Sequence, residues 1–341
     1  MSSFSTTLLN WFAENCRDLP WRHTTDPYAV WLSEIILQQT RIQQGTDYWL
    51  RFMQRWPQVE LLAAATEDEV LREWQGLGYY SRARNLHTAA KQIVALGYFP
   101  DTLEDISSLK GVGDYTAAAV GSIAFGLPVA AVDGNVYRVL ARHYGIDTPI
   151  NTVQGKHLFT DLAQSLLPVS QPAAFNQAMM DFGAIQCTPQ SPRCILCPLQ
   201  DTCDALHTGR IGLLPVKQKK LIVRTRHLTY LYLRCQGKTA FRRRPAGDIW
   251  QGLWEPLLLT DDMATSALPP PDTVCQLQSQ AVLLLQDVKH VLTHRILFAD
   301  FYFLQTDLPP QLPSAYTWIS ESDIDTYALP RLIEILLKSL P

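Results

Sequence analysis

The chain has 341 residues, 47% hydrophobic and 18% charged, which supplies enough apolar substance for more than one core and too few charges for a disordered chain. Its net charge is −3, and residues 1–215 alone carry 15 Lys+Arg against 20 Asp+Glu, which excludes a binder that works through a global positive field. The start, Met-Ser-Ser-Phe-Ser-Thr-Thr, lacks a basic-then-apolar leader, and no stretch approaches the roughly 20 apolar residues of a membrane span, so a soluble, cytoplasmic protein is expected.

In chain order, residues 1–215 read as helices, with apolar residues at helical spacing broken by turns at Trp56-Pro57, Gly76-Leu-Gly78 and Gly97-Tyr-Phe-Pro100. An early helix, Val30 to Thr40, sets Glu34 among Trp31, Ile35 and Leu37. Desolvation there would raise the carboxyl's pKa and let it donate a proton near neutrality. From spacing alone, a solvated charge on the polar face of the helix is the commoner outcome.

Residues 109–126 read as a glycine turn feeding a second helix. Gly111 and Gly113 are expected to take conformations closed to other residues, and the helix N-terminus offers unpaired N–H groups to a phosphate. Lys110 stands on the other side of that turn. The helix ends at Gly126, and a second polar turn follows, carrying Asp133, Gly134 and Asn135.

Four of the seven cysteines cluster as Cys187-x6-Cys194-x2-Cys197-x5-Cys203. Such a quartet of thiolates suits zinc or an iron–sulfur cluster, and spacing alone leaves the two open. Cys16, Cys235 and Cys275 stand apart and read as core or incidental residues. Near Thr208-Gly-Arg-Ile-Gly212 the character changes. Residues 216–226, with Lys217, Lys219, Lys220, Arg224 and Arg226, read as a basic linker. Beyond it, His227 to Arg234 and Ile296 to Phe303 read as strands, Leu268-Pro-Pro-Pro271 as a loop, and Leu329 to Leu340 as a helix.

Several motifs in order carry a resemblance. They are Pro20-Trp21-Arg22, Trp31-Leu-Ser-Glu-Ile-Ile-Leu-Gln-Gln-Thr40, Trp74-Gln-Gly-Leu-Gly-Tyr-Tyr-Ser-Arg-Ala-Arg-Asn-Leu86, Val132-Asp-Gly-Asn-Val136 and Phe175-Asn-Gln-Ala-Met-Met-Asp-Phe-Gly-Ala184. Together they are similar to the MutY-type adenine glycosylases of the endonuclease III superfamily, and they cover the whole N-terminal part. The segment Phe241-Arg-Arg-Arg-Pro-Ala-Gly-Asp-Ile-Trp-Gln-Gly-Leu-Trp-Glu255-Pro256 is similar to the opening of that family's Nudix-like C-terminal domain. No R-E-x-x-E-E box follows in residues 257–266, so pyrophosphate hydrolysis is not expected.

The resemblance implies a multidomain fold. Residues 1–215 would form an all-α helix-hairpin-helix glycosylase domain with a [4Fe–4S] cluster in loop 187–203. Residues 216–226 would link it to an α/β Nudix-like lesion-recognition domain at 227–341. It implies that Cys187, Cys194, Cys197 and Cys203 hold the cluster as a structural element shaping a DNA-facing loop that carries Arg193. Glu34 would protonate adenine and Asp133 would stabilise the sugar cation or bond to it briefly, with Tyr115 and Asn135 positioning them and the water.

The base, flipped from the stack, would lie among Trp21, Arg22, Leu37 and Gln177, although Trp21 and Leu37 equally suit a core. Gln39 and Tyr79 would wedge the vacated stack, with Tyr80 the alternative to Tyr79. Lys110, Gly111 and Gly113 would meet a phosphate. Leu292, Thr293 and His294, after Lys289 and His290, occupy the place of a Phe-Ser/Thr-His loop that reads 8-oxoguanine; leucine wedges but stacks less well than phenylalanine.

The lysine that makes some superfamily members bifunctional would stand two residues after Gly113. This chain has Tyr115 there, so Schiff-base lyase chemistry lacks its nucleophile. The partner implied is double-stranded DNA with adenine opposite 8-oxoguanine or guanine, met by a monomer in a bacterial, nucleoid-associated setting. The rival readings are an endonuclease III-like glycosylase/lyase, a non-catalytic DNA-damage-binding protein and an iron–sulfur electron carrier.

Overall fold

The computed structural model describes residues 2–218, 223–262 and 271–341, with side chains of the last segment from residue 276. By internal contacts the chain divides into two units, Met1–Ala64 with Thr88–Lys219, and Ala65–His87 with Lys220–Pro341. The sequence places 65–87 with the N-terminal helices, whereas its contacts group it with the second unit. The difference arises because this segment's partners, such as Glu334 for Gln75 and Arg243 for Glu67, lie over 170 residues away in sequence.

The first unit is helical. The Pro27–Leu37 helix opens with proline at its first position and with Asp26 accepting from the Tyr28 and Ala29 N–H groups at 3.2 and 3.3 Å. Every residue from Tyr28 to Ile36 is buried, so this helix is enclosed on all sides. Glu34 is therefore only 8% exposed, and the solvated-charge alternative fails.

The hairpin runs from Leu103–Ser108, capped by Thr102, through the turn to Asp114–Phe125, which Gly126 closes at φ 67°. A second core gathers Phe4, Leu8, Val136, Leu140, Phe159, Phe175 and Phe182 around the Gly134–His143 helix, and Cys187, Cys197 and Cys203 pack against it. No described helix is long and apolar enough to cross a membrane.

The second unit is built on a six-stranded mixed sheet. Its strands are β1 (Arg224–Cys235), β2 (Lys238–Arg243), β3 (Trp254–Asp261), β4 (Val282–Val291), β5 (Arg295–Thr306) and β6 (Thr317–Ser320). The order is β4-β5-β1-β3-β2-β6, with β1 and β5 parallel from Arg224↔Arg295 to Cys235↔Thr306. Alternate residues of β1 serve opposite faces. Leu228, Tyr230 and Tyr232 pack with Phe241, Phe301 and Leu332, Ile333 and Leu336 of the Arg331–Lys338 helix; Leu231 and Leu233 pack with Leu257, Leu259 and Leu277.

The linker expectation needs correction at its end. Arg224 and Arg226 belong to β1, and Arg226 is fully buried between Asp248 and Asp261, whose carboxylates satisfy its guanidinium at 2.6 to 2.8 Å. Arg244 and Arg242 extend this network to Glu255, which also accepts from the Tyr230 hydroxyl at 2.9 Å. Arg226, Arg242 and Arg244 are thus internal architecture, while Arg224 and Arg243 stay exposed. Its guanidiniums pull the Asp248 carboxyl down to about 2. Lys219, Lys220 and residues 268–270 of the expected proline loop lie outside the described residues, as does the Cys275 side chain; Pro271 opens the Pro271–Gln280 helix.

Candidate active site and thiolate centre

A cleft of about 580 Å³ in the first unit collects the four residues expected to act on the bond and five of those expected around the base: Trp21, Arg22, Glu34, Leu37, Gln39, Tyr115, Asp133, Asn135 and Gln177. Glu34 comes from the enclosed helix. Burial pushes its carboxyl up to about 7, aided by the negative charge of Asp133 and opposed by the Tyr115 hydrogen bond and by Arg22. The Tyr115 hydroxyl is 2.8 Å from Glu34 Oε2 and 3.1 Å from Met180 Sδ.

Asp133 is the N-cap of the Gly134–His143 helix. Its Oδ1 accepts from the Asn135 and Val136 N–H groups at 2.8 and 2.9 Å, and Oδ2 accepts from Asn135 Nδ2 at 2.7 Å. Burial raises its pKa, while these three donors and Arg138 work in the opposite direction. Asn135 is itself fixed, since Arg138 Nη2 donates to its Oδ1 at 2.7 Å and to the Gly183 carbonyl at 2.6 Å. Two carboxyl groups therefore share one cleft in unlike settings: Glu34 in an apolar helix with one hydroxyl donor, Asp133 at a helix N-terminus with several.

Arg22 lines the cleft, but its guanidinium is engaged. Nη1 and Nη2 donate to the two carboxylate oxygens of Asp181 at 2.7 Å each, and Nη1 also to the Arg17 carbonyl. Arg17 binds the same carboxylate, and these donors hold Asp181 below the usual carboxylate range. Trp21 is buried and meets Trp49 edge-on at 5.9 Å, so it is both core and cleft wall. Leu37 and Gln177 are half-buried, and Gln39 sits exposed at φ 56°, a left-handed conformation uncommon for a residue with a side chain.

Sequence reasoning missed Asp181, Arg138 and Met180 as parts of this site. Asp181 and Met180 fall inside a quoted motif, yet nothing local shows that one carboxylate would hold two arginines from residues 17 and 22.

The hairpin turn needs one correction. Gly111 has φ 79°, as expected, but Gly113 has φ −102° and ψ 176°, open to any residue, and a Cβ there would meet nothing within 4 Å. Gly113 caps the helix without a side chain and leaves its first-turn N–H groups uncovered. Lys110 is exposed, with its backbone N–H donated to Gln92 Oε1 at 2.8 Å.

Tyr79, Leu292, Thr293 and His294 do not line this cleft. They lie in the second unit around another cavity of about 510 Å³, with Trp250 and Arg84. The Leu292-Thr293-His294 turn joins β4 to β5, closed by the Leu292 N–H to the Arg295 carbonyl at 2.8 Å. Leu292 is half-buried against the core, and the Tyr79 hydroxyl bonds the Thr293 hydroxyl. Within the second unit, Tyr79 is thus held beside Thr293. Tyr79 is 47% exposed at φ 47°, whereas Tyr80 is buried.

Cys187, Cys194, Cys197 and Cys203 line one small cavity of about 30 Å³, bordered by Arg193 and Ile211. Arg142 Nη1 lies 3.4 Å from Cys187 Sγ, a cation where thiolate charge would gather. The donor set is all-sulfur and half-buried, which fits a soft metal centre. Among the described residues no three His, Cys, Asp or Glu side chains are set at the distances of a single ion. Arg193 is exposed at the loop, and its carbonyl accepts from Gln186 Nε2 at 2.7 Å.

Residues 32–163 match the model of the HhH-GPD superfamily base excision DNA repair proteins, and residues 229–339 match that of the NUDIX domain. A mouse adenine DNA glycosylase is 44% identical over 230 residues, covering 63% of this chain; the chain spans 44% of that relative's length. Among solved structures, a thermostable thymine-DNA glycosylase aligns with a TM-score of 0.56 and 32% identity over 60% of this chain and 95% of its own. An endonuclease III in a non-covalent DNA complex, 22% identical at a TM-score of 0.51, shares the fold. An adenine DNA glycosylase of Buchnera aphidicola subsp. Baizongia pistaciae is 33% identical over 300 residues, 86% of this chain and 84% of that relative. A match of that extent, over a cleft that brings Glu34 and Asp133 together, shows that the chain belongs to the adenine DNA glycosylase family.

Proposed function

We propose that the chain is a monofunctional adenine DNA glycosylase that hydrolyses the N-glycosidic bond of adenine opposite 8-oxoguanine, or guanine, in duplex DNA. The observation that carries this reading is Glu34, a carboxyl raised to about 7 in the same cleft as the hydrogen-bonded Asp133. Near neutrality Glu34 holds a proton it can give to a ring nitrogen of adenine. The bond from the base to the sugar C1′ then breaks with its electron pair leaving on the base, and the sugar becomes cationic. Asp133 stabilises that cation, and a water adds its oxygen to C1′ as its proton passes to the Glu34 carboxylate, which restores the acid. Asn135 and Tyr115 hold the two carboxyl groups in place.

Trp21, Leu37 and Gln177 wall the flipped adenine, with Gln177 reading its edge. Arg22 contributes by orientation, locked on Asp181, and leaves edge-reading to Gln177. Gly111 and Gly113 offer backbone N–H groups to a phosphate, with Lys110 beside them, which answers the shortage of positive charge in this part of the chain. Tyr79 with Leu292, Thr293 and His294 recognises the opposing purine. Cys187, Cys194, Cys197 and Cys203 would hold a [4Fe–4S] cluster, whose contribution when bound is to brace the 187–203 loop.

The test is base release from duplexes carrying adenine or thymine opposite 8-oxoguanine or guanine. Free adenine from the adenine duplexes alone is expected; release of a pyrimidine overturns the reading. Gly183 offers a second check, because a Cβ there would come within 2.5 Å of Asn135 Cβ and 3.0 Å of its Cα. Gly183→Ala is expected to displace Asn135 and slow single-turnover excision by roughly 10- to 100-fold. An unchanged rate would mean that Asn135 does not position the reacting groups.

A further inference from the structure

The Tyr115 hydroxyl lies within hydrogen-bond distance of two acceptors, Glu34 Oε2 at 2.8 Å and Met180 Sδ at 3.1 Å, and it has one proton to give. When Glu34 is ionised, that proton belongs on the carboxylate. When Glu34 carries its proton on Oε2, the oxygen that faces Tyr115, that O–H donates to Tyr115 Oη, and the tyrosine O–H turns to another acceptor or is left unsatisfied in a desolvated place. The Met180 thioether is the acceptor in reach. The three groups then form a chain running Glu34 O–H to Tyr115 O–H to Met180 Sδ.

We propose that Met180 is a positioning residue for the acid: its sulfur accepts the Tyr115 O–H hydrogen bond when Glu34 is protonated and so helps Glu34 retain the proton it delivers to the base. The functional half of this statement rests on the glycosylase reading; the hydrogen-bond switch does not. The other charged groups facing Glu34 are Asp133, which favours its proton, and Arg22, which disfavours it. Tyr115 faces Glu34 and Asp133, and the shift burial imposes on the phenol keeps it protonated throughout the neutral range. A thioether is a weak acceptor, so the effect is modest and appears as a displaced titration with the fold left intact.

The experiment follows the protonated-carboxyl infrared band of Glu34, identified as the band missing from Glu34→Gln, across pH 4.5 to 9 in the DNA-free protein. Met180→Leu keeps the volume and removes the acceptor, and it is expected to move the midpoint to lower pH by about half a unit. Met180→Gln restores an acceptor and should move it back. On a Tyr115→Phe background, where the chain is already broken, Met180→Leu should produce no shift. A midpoint unmoved by Met180→Leu, or one moved equally on the Tyr115→Phe background, overturns the proposal.

Excision rates on an adenine·8-oxoguanine duplex supply the functional half. The alkaline limb of Met180→Leu should fall at lower pH than wild type, with equal rates below about pH 6. A uniform loss at every pH would mark Met180 as packing alone and overturns the proposal. If wild type releases no base while the infrared shift is present, the glycosylase reading has failed and the switch stands.

Discussion

Glu34→Gln should slow base excision by several orders of magnitude and at the same time stabilise the protein at alkaline pH. The carboxyl has an ordinary value of 4.5 and is raised to about 7 in the fold. Between those values the folded state holds a proton that the unfolded chain has released, so stability declines as pH rises through that window. Above pH 7 the whole cost of burying the charge is present, about 3 kcal/mol for a rise of that size. Glutamine has no charge to bury.

Thermal unfolding of the two proteins should therefore coincide near pH 4.5, diverge between pH 4.5 and 7 and stay apart above it, with the variant higher by roughly 5–10 °C at pH 8. Over the same range excision should fall by about 10²- to 10⁴-fold, the usual contribution of a positioned acid. Loss of activity together with loss of stability at pH 8 would show that Glu34 is a structural carboxylate, ionised and satisfied. A variant that gains stability while losing activity would show the site setting stability against function, as catalytic acids in apolar settings do.

Glu255→Gln carries the largest expected effect in the second unit. Glu255 is fully buried and serves Arg242 at 2.9 Å, Arg244 and the Tyr230 hydroxyl at 2.9 Å. Removing its charge leaves two enclosed guanidiniums short of one negative partner, a situation that costs about 3–5 kcal/mol. Hydrogen exchange of the β1 and β3 amides should accelerate accordingly, and the Glu34 titration should not move. A loss under about 1 kcal/mol would mean that Asp248 and Asp261 carry the network without it.

Much of the candidate site was legible because its residues sit in short motifs whose local geometry is self-contained. Asp133 caps a helix two and three residues ahead, so the Val132-Asp-Gly-Asn-Val136 string by itself describes the acid's donors. Gly111 was legible as a left-handed turn, and the β1 and β5 strands as alternating apolar runs. What sequence could not show was burial created by distant elements. Glu34 looks the same in sequence whether its helix has a wet face or none, and only the enclosing helices decide between them.

The same limit hid Asp181, whose partners are 159 and 164 residues away, and Arg226, whose basic character suggested a linker when two aspartates 22 and 35 residues on were waiting for it. Segment 65–87 lies inside the stretch matched by the HhH-GPD family model, yet its contacts group it with the second unit, and no local pattern records those contacts. Gly113 was misread for a related reason. A glycine in a turn suggests an unusual φ, while here φ is −102° and any residue could adopt it.

The central claim is that this cleft removes a base by hydrolysis and leaves the strand intact. The most direct measurement uses a duplex with one adenine opposite 8-oxoguanine, incubated with the full chain and divided before and after hot alkali. Strand breaks that appear only after alkali, in amounts matching the adenine released, are the expected result, because the residue two after Gly113 is Tyr115 and offers no amine to the sugar. Breaks present before alkali, with an intermediate trapped by borohydride, would contradict it and identify a lyase. Intact DNA under both conditions, with no free adenine, would contradict it more completely.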